Sequence, residues 1–352
     1  MTIMGKTIHL PGIVSRNITF VVSILLFILF FAFGSVSFKG YFSLQVICNL
    51  LIDNSFLIIT AIGSTMVVVT GGIDLSVGAV IAFCNMCMAY MLTKMQLPLL
   101  FAIFVALIIG TLFGMLHGYL VTFKGFQPFI ATLAGQFIAR GLCYVITIDT
   151  IPIVNPLVVR LAIFKVRFLG AFLSLGAILA LIMIVIFHLI TQYTKFGRNI
   201  YAIGGNEQSA SLMGLPVNRT KFLTYTCSGL LAGVASIAFM LYMSSATGIH
   251  GEGLHLDAVA ASVIGGALTT GGVGLVVGTL FGVMTQGSIR TMLTFNGALS
   301  PWWVKIATAL LLLTFILIQR AIVAHQIRSR VTKKIEIVDH EQVSAGQETG
   351  QI

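Results

Sequence analysis

Apolar residues run along this chain in long blocks separated by short charged or glycine-rich breaks. Windows 54–73, 75–93, 95–123, 168–194, 222–251 and 258–289 contain no Asp, Glu, Lys or Arg at all. About 20 consecutive apolar residues suffice for a helix to cross the hydrocarbon core of a bilayer. With Gly, Pro and polar clusters as breaks, the pattern predicts ten spans near 18–37, 50–70, 76–93, 98–121, 128–148, 170–191, 221–243, 255–270, 273–293 and 301–320. The expected fold class is an all-α polytopic membrane protein. Its expected organisation is an N-terminal segment 1–16, a membrane domain 17–320 and a polar, aperiodic tail 321–352.

Composition agrees. Of 352 residues, 58% are hydrophobic and only 9% charged, against roughly 25% charged in a soluble domain. Mean hydropathy is +1.04. A soluble surface cannot be covered with so few charges. The 20 basic and 10 acidic residues leave a net charge of +10, and in a membrane protein Lys and Arg report topology rather than nucleic acid. With the N-terminus inside, twelve basic residues fall in inside segments and five in outside loops, while Arg140, Arg290 and Lys305 fall within or beside spans. That bias places both termini in the cytoplasm. The uncharged run that begins at Asn17 is too long for a signal-peptide core of about 7–15 residues, so an uncleaved first span is expected.

Enzyme chemistry finds little support. Gly5-Lys6-Thr7 lacks the upstream glycine of a P-loop, and no other Gly-Lys-Ser/Thr occurs. His117 and His188 stand alone in apolar runs, and Cys84 and Cys87 sit in an uncharged block where small packing residues are expected. Neither a metal site nor a cofactor is expected. Gly110, Gly114 and Gly118, like Gly274, Gly278 and Gly282, recur every four residues. That spacing lines up each set on one helix face for close packing.

Two carboxylates stand out. Asp74 lies in Gly71-Gly-Ile-Asp-Leu-Ser-Val-Gly78, and Asp257 in Leu256-Asp-Ala-Val-Ala-Ala-Ser-Val-Ile264. Each follows an aliphatic residue and precedes Val-Ile by six positions, opening the third and eighth predicted spans. Five spans apart means opposite orientation, as an inverted repeat produces. Each Asp reads either as a helix N-cap or as a polar gate at a broken helix facing a cavity. The polar residues Asn49, Asn54, Ser76 and Asn85 are further candidates for a pathway that recognises hydroxyl groups.

The longest inside connection, 192–221, carries its own punctuation. Asn206 is placed to cap a short helix, Glu207 suits its first turn, and Gly214 with Pro216 stops it. Ala210, Leu212 and Met213 are then expected on its contact surface. So short a helix needs a partner surface to persist. Lys195, Arg198, Arg219 and Lys221 flank it, where anionic headgroups attract basic side chains.

Three stretches resemble the ribose-type permeases of bacterial ABC sugar importers. They are Gly71-Gly-Ile-Asp-Leu-Ser-Val-Gly78; the loop from Tyr201-Ala-Ile-Gly-Gly-Asn206 through Leu212-Met-Gly-Leu215; and Leu256-Asp257-Ala258 onward to Val263-Ile-Gly-Gly266. The likeness covers about residues 17–320. Within the family it is nearest to galactofuranose-importer permeases, on Val46-Ile-Cys-Asn49, Asp53-Asn54, Ile151-Pro152 and Phe295-Asn-Gly-Ala-Leu-Ser-Pro-Trp-Trp-Val-Lys305. Family members commonly carry an acidic residue where this chain has His255. The resemblance implies an inner-membrane transport subunit that works by alternating access. Its implied partners are a second permease chain, an ATP-binding subunit that hydrolyses ATP, and a periplasmic sugar-binding protein. The 206–214 segment would be the coupling helix to the ATPase. From the residues alone, an ion-coupled carrier that uses Asp74 or Asp257 stays open, as does a membrane scaffold built on the 192–221 loop.

Overall fold

The computed structural model describes residues 2–3, 6–7, 18–168, 170–296, 302–303, 305–310, 312–314 and 317. Helix dominates, because in lipid each backbone N–H and C=O has to be satisfied within its own segment. In chain order the helices are α1 (Ile18–Ser37), α2 (Leu44–Asp53), α3 (Ser55–Val69), α4 (Val77–Thr93), α5 (Leu99–Phe123), α6 (Pro128–Ile146), α7 (Pro156–Ile163), α8 (Leu175–Tyr193), α9 (Lys195–Gly205), α10 (Glu207–Leu212), α11 (Val217–Met243), α12 (Leu254–Ile264) and α13 (Val276–Asn296). Strands β1 (Thr2–Ile3), β2 (Lys6–Thr7), β3 (Ile151–Pro152), β4 (Lys165–Phe168), β5 (Ala171–Ser174) and β6 (Ser245–Ala246) are short. They pair antiparallel as β1–β2, β3–β6 and β4–β5. The residues up to Thr308 form one unit; beyond it, residues 309–310, 312–314 and 317 are helical.

The centre of this unit is α3. Every one of its 15 residues is buried, as suits a helix that is apolar on all sides. It packs against α8, α11, α12 and α13. Inside that apolar contact, Thr65 Oγ1 bonds Ser262 Oγ of α12 at 2.9 Å and Thr279 Oγ1 of α13 at 2.6 Å. Hydroxyls joined across helices in this way are worth about 0.6–2 kcal/mol in a membrane interior.

The glycine stripe of α5 does what its spacing predicts. Gly110 and Gly114 lie against Gly229 of α11, and Gly118 against Phe222, so that any Cβ there would strike backbone. Gly278 and Gly282 of α13 meet Gly265 and Ala261 likewise. Gly274 departs from expectation. It precedes α13 with φ +154° and is not part of a helix face.

Among the described residues, five helices are long and apolar enough to cross a membrane, or six if the bent pair α2–α3 is one span. Three predicted spans are not simple rods. The 50–70 block is α2 and α3, bent by 63° about Asn54. The 76–93 block is the 17-residue α4, entered through a non-helical run at residues 72–76. The 255–270 block is only the 11-residue α12, about 16 Å long at 1.5 Å per residue. The N-terminal segment lies mostly and the tail 321–352 wholly outside the described residues, as do residues 301, 304, 311, 315–316 and 318–320 of the 301–320 block. In the 192–221 connection the sequence predicts one helix, whereas the structure has two, because α9 precedes α10.

Candidate functional site

Residues 72–76 carry the chain from the buried end of α3 to the start of α4 without helical hydrogen bonds. A broken helix of this kind frees polar groups inside the membrane, and these must find other partners. Asp74 supplies them. Only 2% of it is exposed. Its Oδ1 accepts from the Ser76 backbone N–H at 3.0 Å and from Ser76 Oγ at 2.6 Å. Its Oδ2 accepts from Ser228 Oγ of α11 at 2.8 Å. Ser76 Oγ also lies 3.3 Å from His117 Nδ1 of α5. The His117 ring is buried against Gly135 of α6, where a Cβ would overlap it. Ser76, not Asp74, is the N-cap residue of α4, and its side chain makes no capping bond. Asp74 therefore ties the unwound run to α11 and, through Ser76, to α5.

A second non-helical run approaches from the other end of the bundle. After α11 the chain turns at Ser244, a non-glycine residue at φ +50°. Ser245 and Ala246 pair with Pro152 and Ile151. Asn85 Nδ2 of α4 donates to Ser245 O at 2.9 Å, and Gly251 lies against Gly78, where a Cβ on Gly78 would stand 2.5 Å from Gly251 O. Asn85 and Gly78 are two turns apart on α4, about 10 Å, so the run descends along that helix. Gly78 is two residues beyond Ser76. The two unwound runs therefore converge at the start of α4.

The other expected site residues are dispersed. Asn49 Oδ1 accepts from Gln45 Nε2 at 2.8 Å at an exposed position of α2. Asn54 is buried at the α2–α3 bend and donates to Leu50 O at 2.9 Å. Asp257 departs from its N-cap reading. It sits in the first turn of α12, whose N-cap is Gly253, and its side chain is 37% exposed beside Arg290 at 3.8 Å. It neither caps a helix nor mirrors the buried Asp74. Sequence reasoning missed His117 and Ser228. The signal for His117 was a lone imidazole in an uncharged run.

The end of the molecule that carries the 192–221 connection is tightly joined. Asn206 caps α10, accepting from Ser209 N at 2.7 Å, and Gly214 takes φ +75° as the stop requires. Glu207 pairs with Lys221 Nζ at 2.6 Å, so Lys221 faces the helix and not only its surroundings. Leu212 and Met213 are 84% and 70% exposed. Ala210 is fully buried and so turns away from the exposed surface made by Leu212 and Met213. Immediately upstream, Gly204 presses on the Val69 carbonyl at the end of α3, which also accepts from Gly272 N at 2.8 Å. Tyr201 of α9 donates to Gly274 O at 2.8 Å. Thus α9 rests directly on the exits of α3 and α12.

This geometry coincides with a family match. The model described as branched-chain amino acid transport system / permease component matches residues 46–317. The chain belongs to this permease family. Relatives align over most of both chains. The inner membrane ABC transporter permease protein YjfF of Escherichia coli strain K12 is 42% identical over 88% of this chain and 94% of its own. The fructose import permease protein FruG of Bifidobacterium longum is 39% identical over 86% and 90%. The ribose import permease protein RbsC of Bacillus subtilis is 35% identical over 90% and 96%. No solved structure matches the chain. As a permease the chain is a transport component, not an enzyme.

Proposed function

We propose that this permease is the membrane subunit of an ATP-driven importer that carries a monosaccharide, galactofuranose or a related sugar, across the inner membrane by alternating access. The observation that carries the proposal is kinship along nearly the whole chain with fructose and ribose import permeases. About ten spans in an inverted repeat, both termini in the cytoplasm and pairing with a second permease chain complete the picture. The membrane domain would be 17–320, flanked by cytoplasmic segments 1–16 and 321–352. A periplasmic sugar-binding protein would deliver substrate, and surrounding lipid would hold the basic inside residues.

The coupling device is α10. Asn206, Glu207, Leu212, Met213 and Gly214 build a short capped helix with two exposed apolar side chains next to each other. An apolar pair of this kind at a solvent face suits insertion into a groove of the ATP-binding subunit. Motion taken up there passes through α9 to Gly204, Val69 and Gly272, and so to the run that holds Asp74. Asp74, Ser76 and Asn85 are the gate or pathway residues in this account, with His117 and Ser228 as the partners that hold Asp74 and Ser76.

Affinity purification of the tagged chain from its native membrane tests the assembly. Recovery of an ATP-binding subunit and a second permease chain is the expected result. Recovery of this chain alone, under conditions that preserve transport, contradicts the assignment.

A further inference from the structure

Residues 244–253 have almost no regular hydrogen bonding of their own beyond the short β3–β6 ladder. Successive turns join His250 N to Thr247 O, Glu252 N to Ile249 O and Leu254 N to Gly251 O. Ser244, Gly251 and Gly253 all take positive φ. Backbone carbonyls left over from such turns, inside a membrane protein, need donors from elsewhere. They find one in Arg140 of α6, whose Nη1 donates to the carbonyl oxygens of Gly248 and His250, the latter at 2.6 Å. One turn on, the Tyr144 ring lies against Gly248 and leaves no room for a Cβ. The His250 ring meets Phe239 of α11 edge-on at 5.2 Å.

Arg140 is a charge within an otherwise uncharged 19-residue helix, about 9 Å short of its end. Among the described residues no carboxylate comes within ion-pair distance of it. An arginine placed so in a membrane span is expensive, and marks function with its partner as the clue. Here the partner is a backbone run. Both bonds come from one guanidinium nitrogen, whose two N–H groups reach the two oxygens at the end of a long side chain.

We propose that Arg140 is a positioning residue that pins residues 244–253 as the closure of the transport path at the end opposite α10. This rests on the transport reading for the word closure, but not for the contact itself. With Arg140 engaged, the run lies along α4 and Gly251 is pressed on Gly78, beside the Asp74 cluster. Release of the two carbonyls frees the run from α6 while β3–β6 still tethers its start. The path then opens from that end. A helix-bound charge that grips carbonyls is suited to such a switch, because its partner is satisfied equally by water once the run lifts.

The test is hydrogen exchange on the full chain in lipid nanodiscs, comparing parent, Arg140→Gln and Arg140→Lys. The run should exchange at least about tenfold faster in Arg140→Gln, with α3 and α5 unchanged, since local opening is read out separately from global stability. Arg140→Lys keeps the charge and its N–H donors on a shorter side chain, and should fall between the two. Unchanged exchange in residues 246–253 of Arg140→Gln overturns the proposal, as does a rise spread equally over the bundle. Should Arg140→Gln not fold, Arg140→Lys decides: a local rise supports the latch and parental exchange overturns it. These outcomes hold whether or not the chain carries sugar, so failure of the latch and failure of the transport reading remain distinct.

Discussion

Asp74 on the unwound run before α4 and Ser228 in the middle of α11 are joined by a buried hydrogen bond of 2.8 Å across 154 residues of sequence. Together with the two bonds from Ser76, it occupies both carboxylate oxygens. A buried carboxylate is tolerated only when held in this way. The arrangement separates two properties of Asp74, hydrogen bonding and charge, and each can be changed alone.

Asp74→Asn keeps an acceptor for Ser76 and offers an amide to Ser228. It should therefore reach the membrane at parental levels while uptake falls about tenfold or more, as for a functional intramembrane charge. Asp74→Ala removes the partner of Ser228 Oγ and leaves Ser76 Oγ only His117, and should lose about 1–3 kcal/mol of stability, read as a lower melting point in detergent. Parental uptake by Asp74→Asn would show that its charge is not used.

Gly204 and Gly205 are adjacent but not equivalent. A Cβ on Gly204 would overlap the Val69 carbonyl and crowd Gly272 N, whereas one on Gly205 meets nothing within 4 Å. Gly204→Ala should lower stability by about 1–3 kcal/mol through overpacking and weaken uptake, while Gly205→Ala should match the parent in both. Equal behaviour of the two in a thermal-shift assay would refute this docking of α9.

Leu212 and Met213 are exposed, and Ala210 is buried, on the same short helix. Leu212→Asp should leave membrane level and melting point unchanged but release the ATP-binding subunit during purification. Ala210→Asp should fail to accumulate, because it buries an unpaired charge. Glu207→Lys removes the exposed pair with Lys221, worth only about 0–1 kcal/mol, so its effect should also be on co-purification and not on stability. Retention of the ATP-binding subunit by both Leu212→Asp and Glu207→Lys counts against α10 as the docking helix.

Thr65 holds a hydroxyl junction between three helices. Thr65→Val keeps the shape and removes both inter-helix bonds, for an expected loss of about 1–2 kcal/mol with uptake otherwise retained. A melting point equal to the parent's would mean that the junction contributes nothing.

Much of this was legible in the sequence, for identifiable reasons. Asn206, Glu207, Gly214 and Pro216 announce α10 because caps and stops act locally. The α5 glycines announce close packing because their spacing fixes a face. What was not legible depends on distant partners. Lys195–Gly205 contains Gly197, Gly204 and Gly205 and reads as loop, yet it is helical; Gly197 and Gly204 serve close approaches to Thr191 and Val69. Lone His117 reads as core, since its neighbour Ser76 is 41 residues away. Asp257 looks like the twin of Asp74 in its local string, but the surrounding helix leaves it half-exposed beside Arg290. Arg140 announces only that a charge lies in a span, because its partners are backbone carbonyls that carry no sequence signature.

The most direct test of ATP-driven sugar import is uptake into proteoliposomes holding this chain with its co-purified subunits, the binding protein outside and ATP within. Radiolabelled galactose, whose solution equilibrium includes the furanose form, is the substrate, with ribose and fructose as comparisons. Accumulation of labelled sugar that requires ATP and the binding protein is the predicted result; accumulation driven by a proton or sodium gradient without ATP would contradict it.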